Sequence, residues 1–98
     1  MSQRDLARLR EKIRLRQYNM SAHAMEEMAE DLLTILDVES AVLNGQISRI
    51  EKDDPRGTKY VVIGTALDLQ TPVGVVMRFS SSSRLLIITV YEVTKLEQ

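Results

Sequence analysis

Apolar residues recur at helical spacing in the first half of the chain and at strand spacing in the second half. The spacing of Leu6, Leu9 and Ile13 predicts an amphipathic helix over residues 3–16. Ser21 is placed to cap a second helix, because a serine hydroxyl accepts a hydrogen bond from an amide of the first turn. The predicted core-facing stripe of this second helix consists of Met25, Met28, Ala29 and Leu32. Met25 is also placed to form a hydrophobic staple with the residue before the cap.

A third helix is predicted to begin after Thr34. Thr34 and Asp37 form a capping box in which aspartate stands in for glutamate. The predicted buried stripe consists of Ile35, Val38, Ala41 and Val42. Asn44-Gly45 is predicted to end the helix through a left-handed backbone conformation.

From Gln46 onwards the apolar period changes to that of β-strands. Four strands are predicted, over residues 46–51, 59–66, 74–80 and 84–93. Residues typical of turns lie in each connection between these strands. They are Pro55 and Gly57 in the first connection, Thr71-Pro72 in the second and Ser81 to Ser83 in the third. Sequential strands with short connections favour an antiparallel meander. The sequence therefore predicts an α+β fold, with N-terminal helices packed on an antiparallel sheet of about four strands. A basic helix over residues 1–16 precedes a single domain over residues 17–98.

The last two predicted strands also determine which side chains share a face of the sheet. Pairing their apolar faces is predicted to bury Val75, Met77 and Phe79 beside Leu86, Ile88 and Val90. The same register places Arg78 on the opposite face together with Thr89 and Tyr91. A slip of one residue would instead bury the unpaired charge of Arg78, which is costly.

Composition and charge narrow the classes of function. The chain has 98 residues and no cysteine, so disulfides and cysteine-ligated metal sites are excluded. Its net charge of −1 argues against strong nucleic-acid binding. The charge is unevenly distributed, at +4 over residues 1–16, −7 over 17–54 and +2 over 55–98. No apolar run follows Met1, so we expect neither a secretory signal nor a membrane span, and a cytoplasmic location.

Three interpretations of the basic N-terminal helix remain open. It is a docked or fraying helix with a solvated basic face, a helix that binds a partner or a second copy of the chain, or an arm that contacts phosphates. No aromatic residue precedes Tyr18, so base stacking by this helix is not indicated.

His23 is the only histidine, and it lies in the first turn of the second predicted helix. With Glu26 or Glu27 it supplies only two metal ligands, so no metal site and no cofactor are predicted. An arginine for the phosphate, a tyrosine for orientation or stacking and a histidine for proton transfer are nevertheless sufficient for metal-independent RNA cleavage. Arg78 and Tyr91 are therefore candidates beside His23, although both are also ordinary residues of an exposed sheet face.

The order of motifs resembles the domain of unknown function 4258 family over about residues 17–93. The resemblance rests on Ser21-Ala22-His23-Ala24 at a helix start, Asp37-Val38, Asn44-Gly45 and Thr89-Val90-Tyr91. That family is grouped with RelE-like and BrnT-like toxins, which are small α+β proteins that cleave RNA and are held inactive by an antitoxin. The resemblance implies a site formed by His23, Thr89 and Tyr91, to which the register of the sheet adds Arg78.

The chain departs from the family pattern at two positions near His23. Where the family helix usually carries an arginine and a further basic residue, this chain has Glu27 and Asp31. Two hypotheses follow. The first is a toxin-like protein that binds or cleaves single-stranded RNA and has an antitoxin-like partner. The second is a non-catalytic module that uses the 3–16 helix or the exposed sheet face to bind a protein or a second copy of itself.

Overall fold

The structure, a computed structural model, describes residues 3–93. Residues 1–2 of the predicted basic helix and residues 94–98 of the predicted domain lie outside the described residues. The described part contains three helices and five strands. In chain order these are α1 (Gln3–Arg14), β1 (Tyr18–Met20), α2 (Ala22–Glu30), α3 (Ile35–Asn44), β2 (Gln46–Glu51), β3 (Lys59–Thr65), β4 (Pro72–Phe79) and β5 (Leu85–Glu92). The α+β class is therefore as predicted.

The five strands form one mixed sheet in the order β1-β5-β4-β3-β2. Strands β2 to β5 form the predicted antiparallel meander, and β1 pairs in parallel with the first half of β5. The prediction of about four, wholly antiparallel strands was wrong because it missed β1. This strand has only three residues, too few to show an alternating pattern, and its pairing partner lies more than sixty positions further along the chain.

Helices α1 and α3 pack on one face of the sheet and enclose the core. The predicted stripe of α1 is confirmed, since Leu6, Leu9 and Ile13 are all buried in this core. The other buried members of the core are Ala24, Val38, Ala41, Val42, Tyr60, Val62, Ala66, Val73, Val75, Met77, Leu85, Ile87 and Val90. Among the described helices, none is long and apolar enough to cross a membrane.

A β-bulge in β5 changes which side chains of this strand are buried. Val76 pairs with Thr89 and Met77 pairs with Ile87, so Ile88 has no direct partner on β4. Because the bulge reverses the alternation, the core contains Leu85 and Ile87. The prediction that Leu86 and Ile88 are buried was therefore wrong, whereas Val90, which follows the bulge, is buried as predicted.

The predicted core-facing stripe of α2 was also wrong. Ala24 is the residue of α2 that is fully buried, and Met28 is partly buried against the core. Met25 is 52% exposed and Leu32 is 89% exposed, so Met25 forms no buried staple. The reason is tertiary, since α2 lies along the edge of β5 and only a narrow side of the helix faces the core.

Helix α3 is attached to the sheet through its polar side chains and a close backbone contact. The capping box of Thr34 and Asp37 is present as predicted, and Val38, Ala41 and Val42 are buried, whereas Ile35 is exposed. The side-chain nitrogen of Asn44 donates to the carbonyl of Thr65 at 3.1 Å. The side-chain oxygen of Asn44 accepts from the backbone amide of Thr65 at 2.9 Å. These two bonds continue the ladder of β3 beyond the end of β2.

Gly45 does not adopt the predicted left-handed conformation. Its φ of −93° and ψ of −174° are extended, so glycine is not needed there for its backbone angles. It is needed for space, because a Cβ at this position would lie 2.4 Å from the carbonyl oxygen of Ala41. The helix therefore ends where the chain must pass closely between α3 and β3.

We expect replacement of Asp37 by alanine to lower the free energy of unfolding by about 1–2 kcal/mol. The carboxylate accepts hydrogen bonds from the amide of Thr34 at 2.9 Å and from the amide of Leu67 at 3.1 Å, and the Thr34 bond is the main cause of its lowered pKa. Because the pKa is lowered in the folded state, this stabilisation is present above pH of about 4 and is lost as the pH falls further. Urea unfolding at neutral and acidic pH measures the difference in free energy of unfolding between the wild type and the variant. A difference that stays the same in acid would contradict the assignment.

Candidate functional site

Helix α2 lies along the half of β5 that β1 does not reach. Ser21, the N-cap of α2, continues the pairing of β1 through its amide, which donates to the carbonyl of Ile87 at 2.9 Å. Its hydroxyl donates to the carbonyl of Ile88 at 2.8 Å and also accepts from the amide of Ala24, as expected of a cap. The serine therefore joins the start of the helix to the bulge of β5.

Beyond the bulge, the carboxylate of a residue in α2 and that of its C-cap residue bind backbone amides of β5. Glu27 accepts from the amide of Val90 at 3.0 Å, and Asp31 accepts from the amide of Glu92 at 3.0 Å. The spacing fits because four helical residues rise about 6 Å, close to the ~6.8 Å repeat of two strand residues. The two acidic side chains thus take the place of a neighbouring strand and satisfy amides that would otherwise form an open edge.

Glu27 also holds the side chain of His23. One oxygen of the carboxylate binds the amide of Val90, and the other lies 3.2 Å from Nε2 of His23, one helical turn away. The His23 side chain is 67% exposed, whereas that of Glu27 is 21% exposed. When the neutral ring carries its proton on Nε2, Nδ1 has the free lone pair. The arrangement is an exposed imidazole oriented by a fixed carboxylate, which is the geometry of a general base and its orienting group.

The face of the sheet away from α1 and α3, here called the open face, contains a groove of about 760 Å³. Thr89 and Tyr91 line one end of the groove, on β5, and Ser48 and Arg49 line the other end, on β2. The remaining lining residues are Val61, Ile63, Pro72, Val76 and Val93. The groove therefore has polar side chains at both ends of a mainly apolar floor.

The ring of Tyr91 lies directly over Gly74, its partner on β4. A Cβ on Gly74 would be 2.3 Å from Cζ and 2.6 Å from Cε1 of the tyrosine ring. The tip of the ring therefore packs against the backbone of β4. Glycine is required here so that the aromatic ring can approach the strand so closely.

The predicted site residues occupy three places in the structure. Thr89 and Tyr91 lie together in the groove, and they flank Val90, the residue whose amide binds Glu27. His23 lies on α2 at the edge of β5 and does not line the groove.

Arg78 lies outside the groove lining. By strand alternation it is on the open face with Thr89 and Tyr91, as the register predicted, since Val76 pairs with Thr89. Its Cδ is 4.0 Å from the position that a Cβ on Gly57 would occupy, so the side chain extends toward the connection between β2 and β3. Within residues 3–93 it makes no ion pair.

Two features of this region were not predicted from the sequence. One is the hydrogen bond of Glu27 to the amide of Val90, since Glu27 was considered only as a helical neighbour of His23 and as the loss of a basic residue. The other is the presence of Arg49 in the groove. No local pattern marks it, because its place depends on the pairing of β2 with β3.

Comparison with known proteins gives one family match. The model of the family described as "Domain of unknown function (DUF4258)" matches residues 20–92, which include α2, α3, β2 to β5 and every lining residue of the groove except Val93. No curated protein and no solved structure shows significant similarity to the chain.

Proposed function

We propose that this chain, which belongs to the DUF4258 family, binds single-stranded RNA and cleaves it without a metal ion, as a toxin-like protein of the RelE-like group. One observation carries the proposal. The exposed imidazole of His23 is oriented by Glu27, and Glu27 is anchored on the amide between Thr89 and Tyr91. A proton-transfer group is thus fixed to the strand segment that presents two hydroxyl side chains to the groove.

The chemistry uses the RNA's own nucleophile. His23 removes the proton from a ribose 2′-hydroxyl, and the 2′-oxygen forms a bond to phosphorus. The bond between phosphorus and the 5′-oxygen then breaks, and the leaving 5′-oxygen takes a proton from solvent. The products are a 2′,3′-cyclic phosphate and a 5′-hydroxyl end. Glu27 keeps the ring in one orientation, which reduces the entropic cost of the reaction.

The other predicted residues act on the RNA itself. Arg78 supplies a positive charge on the open face for the phosphate, because a guanidinium binds phosphate oxygens through paired hydrogen bonds. Thr89 and Tyr91 orient the nucleotide through hydrogen bonds or stacking.

The acidic substitutions near His23 have a structural explanation that supports this proposal. Glu27 and Asp31 each bind an amide of β5, so their oxygens are directed at the strand edge. Neither residue lines the groove, so the two negative charges lie at the edge of β5 and not among the side chains of the groove. The two residues therefore replace the family's basic residues without creating an acidic surface at the groove.

The test is incubation of the purified protein with single-stranded RNA in the presence of a metal chelator. We expect cleavage with 2′,3′-cyclic phosphate ends, and no cleavage of the matched 2′-O-methyl oligonucleotide, which lacks the nucleophile. A His23→Asn preparation made by the same route controls for contaminating nuclease. Equal cleavage by both preparations, or absence of cleavage by the wild type, would refute the enzymatic proposal.

A second candidate function is a non-catalytic interaction module, favoured by the apolar floor of the groove. In this alternative the open face, rather than α1, binds an antitoxin-like protein or a second copy of the chain. Helix α1 does not offer its apolar stripe to a partner, since Leu6, Leu9 and Ile13 are in the core. Several of its cations are also engaged, for example Arg10, which donates to the carbonyl of Gly45 at 2.7 Å.

A further inference from the structure

We infer that the groove on the open face is the RNA-binding subsite, in which bases lie on the apolar floor and on the Tyr91 ring while Arg49 binds a phosphate. This inference rests on the proposed function and adds two residues to it. Arg49 is the phosphate ligand, and Gly74 is the positioning residue that allows Tyr91 to lie along the sheet.

The first argument is the alignment of side chains across the sheet. Arg49 pairs with Val61, Val61 with Val76, and Val76 with Thr89. These four residues form one cross-strand row on the open face, which spans three strand spacings, or about 14 Å. A guanidinium and a hydroxyl thus stand at opposite ends of a row with two valines between them, of which Val76 is the more exposed. A phosphate bound at Arg49 would leave the neighbouring base over this apolar part of the row.

The second argument is the geometry of Tyr91. Tyr91 lines the groove, and the tip of its ring packs closely on the backbone of Gly74. Every base has a π-face, so stacking on an aromatic side chain is favourable and tolerant of sequence. The adjacent apolar side chains, Ile63 and Val76, extend this surface toward β2.

The third argument is the state of Arg49. Its Nε donates to the carboxylate of Glu51 at 2.7 Å, and its side chain is 64% exposed. Glu51 therefore orients the guanidinium, and the contact uses neither terminal nitrogen, so both are placed to bind phosphate oxygens. Lys59 lies 3.5 Å from the same carboxylate and 3.6 Å from that of Asp54, so Glu51 is shared between two cations.

The test measures binding of a fluorescent single-stranded 2′-O-methyl oligonucleotide at several salt concentrations, because this probe cannot be cleaved. We expect Arg49→Gln to weaken binding about tenfold and to reduce the slope of log K against log salt by about 0.7, the value for one phosphate contact on a single strand. Arg14→Gln on α1 is the matched control, since it removes the same charge on the other side of the molecule. It should leave both quantities unchanged.

Two further variants test the floor of the groove. Val76→Phe fills the groove and should lower affinity at least tenfold, and Gly74→Ala, which forces the Tyr91 ring away from β4, should lower it about fivefold through lost stacking. Thermal unfolding measures whether each variant is folded. If a floor variant does not fold, Arg49→Gln still tests the proposal, because this substitution is at an exposed position.

The outcomes separate the subsite from the chemistry. Loss of binding in the groove variants supports the subsite even if the wild type cleaves no RNA, because the probe does not require cleavage. Cleavage that depends on His23 together with unchanged binding in Arg49→Gln and Val76→Phe would overturn the subsite and leave the proposed enzyme intact. Absence of any RNA binding by the wild type at low salt would overturn both.

Discussion

Alanine in place of Gly64 is expected to lower the free energy of unfolding by about 3 kcal/mol or more, at the upper end of overpacking effects. A Cβ on Gly64 would lie 2.0 Å from the carbonyl oxygen of Ala41 and 2.7 Å from the carbonyl carbon of the same residue. These are backbone atoms of α3, so relief requires the whole helix to move away from β3. For a domain of this size the melting temperature should fall by about 12 °C or more. Calorimetry or thermal circular dichroism measures the change.

Gly74→Ala is the matched comparison, because it makes the same substitution in the neighbouring strand of the same sheet. The obstructing atoms there belong to the ring of Tyr91, a side chain that can rotate. The loss of stability should therefore be clearly smaller than for Gly64→Ala. Equal losses would show that close contact between α3 and β3 is not what limits the residue at position 64.

Substitution of His23 by asparagine is expected to lower the rate of RNA cleavage by about 100-fold or more, the usual range for loss of a general acid or base. The side chain is 67% exposed and makes its ion pair with Glu27 on the surface, so stability should change little. A single-turnover cleavage assay measures the rate, and binding of the uncleavable probe should be unaffected. A variant that retains the wild-type rate would show that the only histidine of the chain has no catalytic role.

Glu27→Gln separates the orienting role of this residue from its structural role. Glutamine still offers an oxygen to the amide of Val90 but replaces the carboxylate oxygen that contacts Nε2 of His23. We therefore expect a lower cleavage rate. Asp31→Asn is the matched control, since Asp31 binds the amide of Glu92 in the same way but is not paired with the histidine. A rate lowered equally by both variants would contradict the assignment.

Local patterns were sufficient to predict the helices and the strands of the meander. Capping residues gave the starts of α2 and α3, and the first strand of the meander has the predicted bounds, because these signals act between residues close in the chain. The class of the fold and the shared face of Arg78, Thr89 and Tyr91 follow from the same signals. The errors occurred where distant residues decide the outcome. The bulge at Ile88 reversed the buried face of β5, and β1 was missed because its stability comes from pairing with that strand.

The candidate site shows the same division. His23, Thr89 and Tyr91 were identified from the order of motifs. The register that pairs the wholly apolar faces of the last two strands placed Arg78 on the face of Thr89 and Tyr91. The function of Glu27 required knowledge that an amide of β5 lies within reach of α2. The participation of Arg49 required the row of side chains that crosses four strands.

The amino-acid sequence by itself determined the helical and extended segments, their caps and the residue types available for chemistry, since these depend on steric and hydrogen-bonding preferences within a few residues. Only the tertiary structure decided that α2 serves as the neighbour of β5 and that Gly64 must admit α3. It also decided that Tyr91 packs on Gly74 at one end of a groove that Arg49 lines at the other. The physical reason is that edge amides, bulges and close backbone contacts are satisfied by partners far away in the chain, and the choice of partner follows from packing the whole domain.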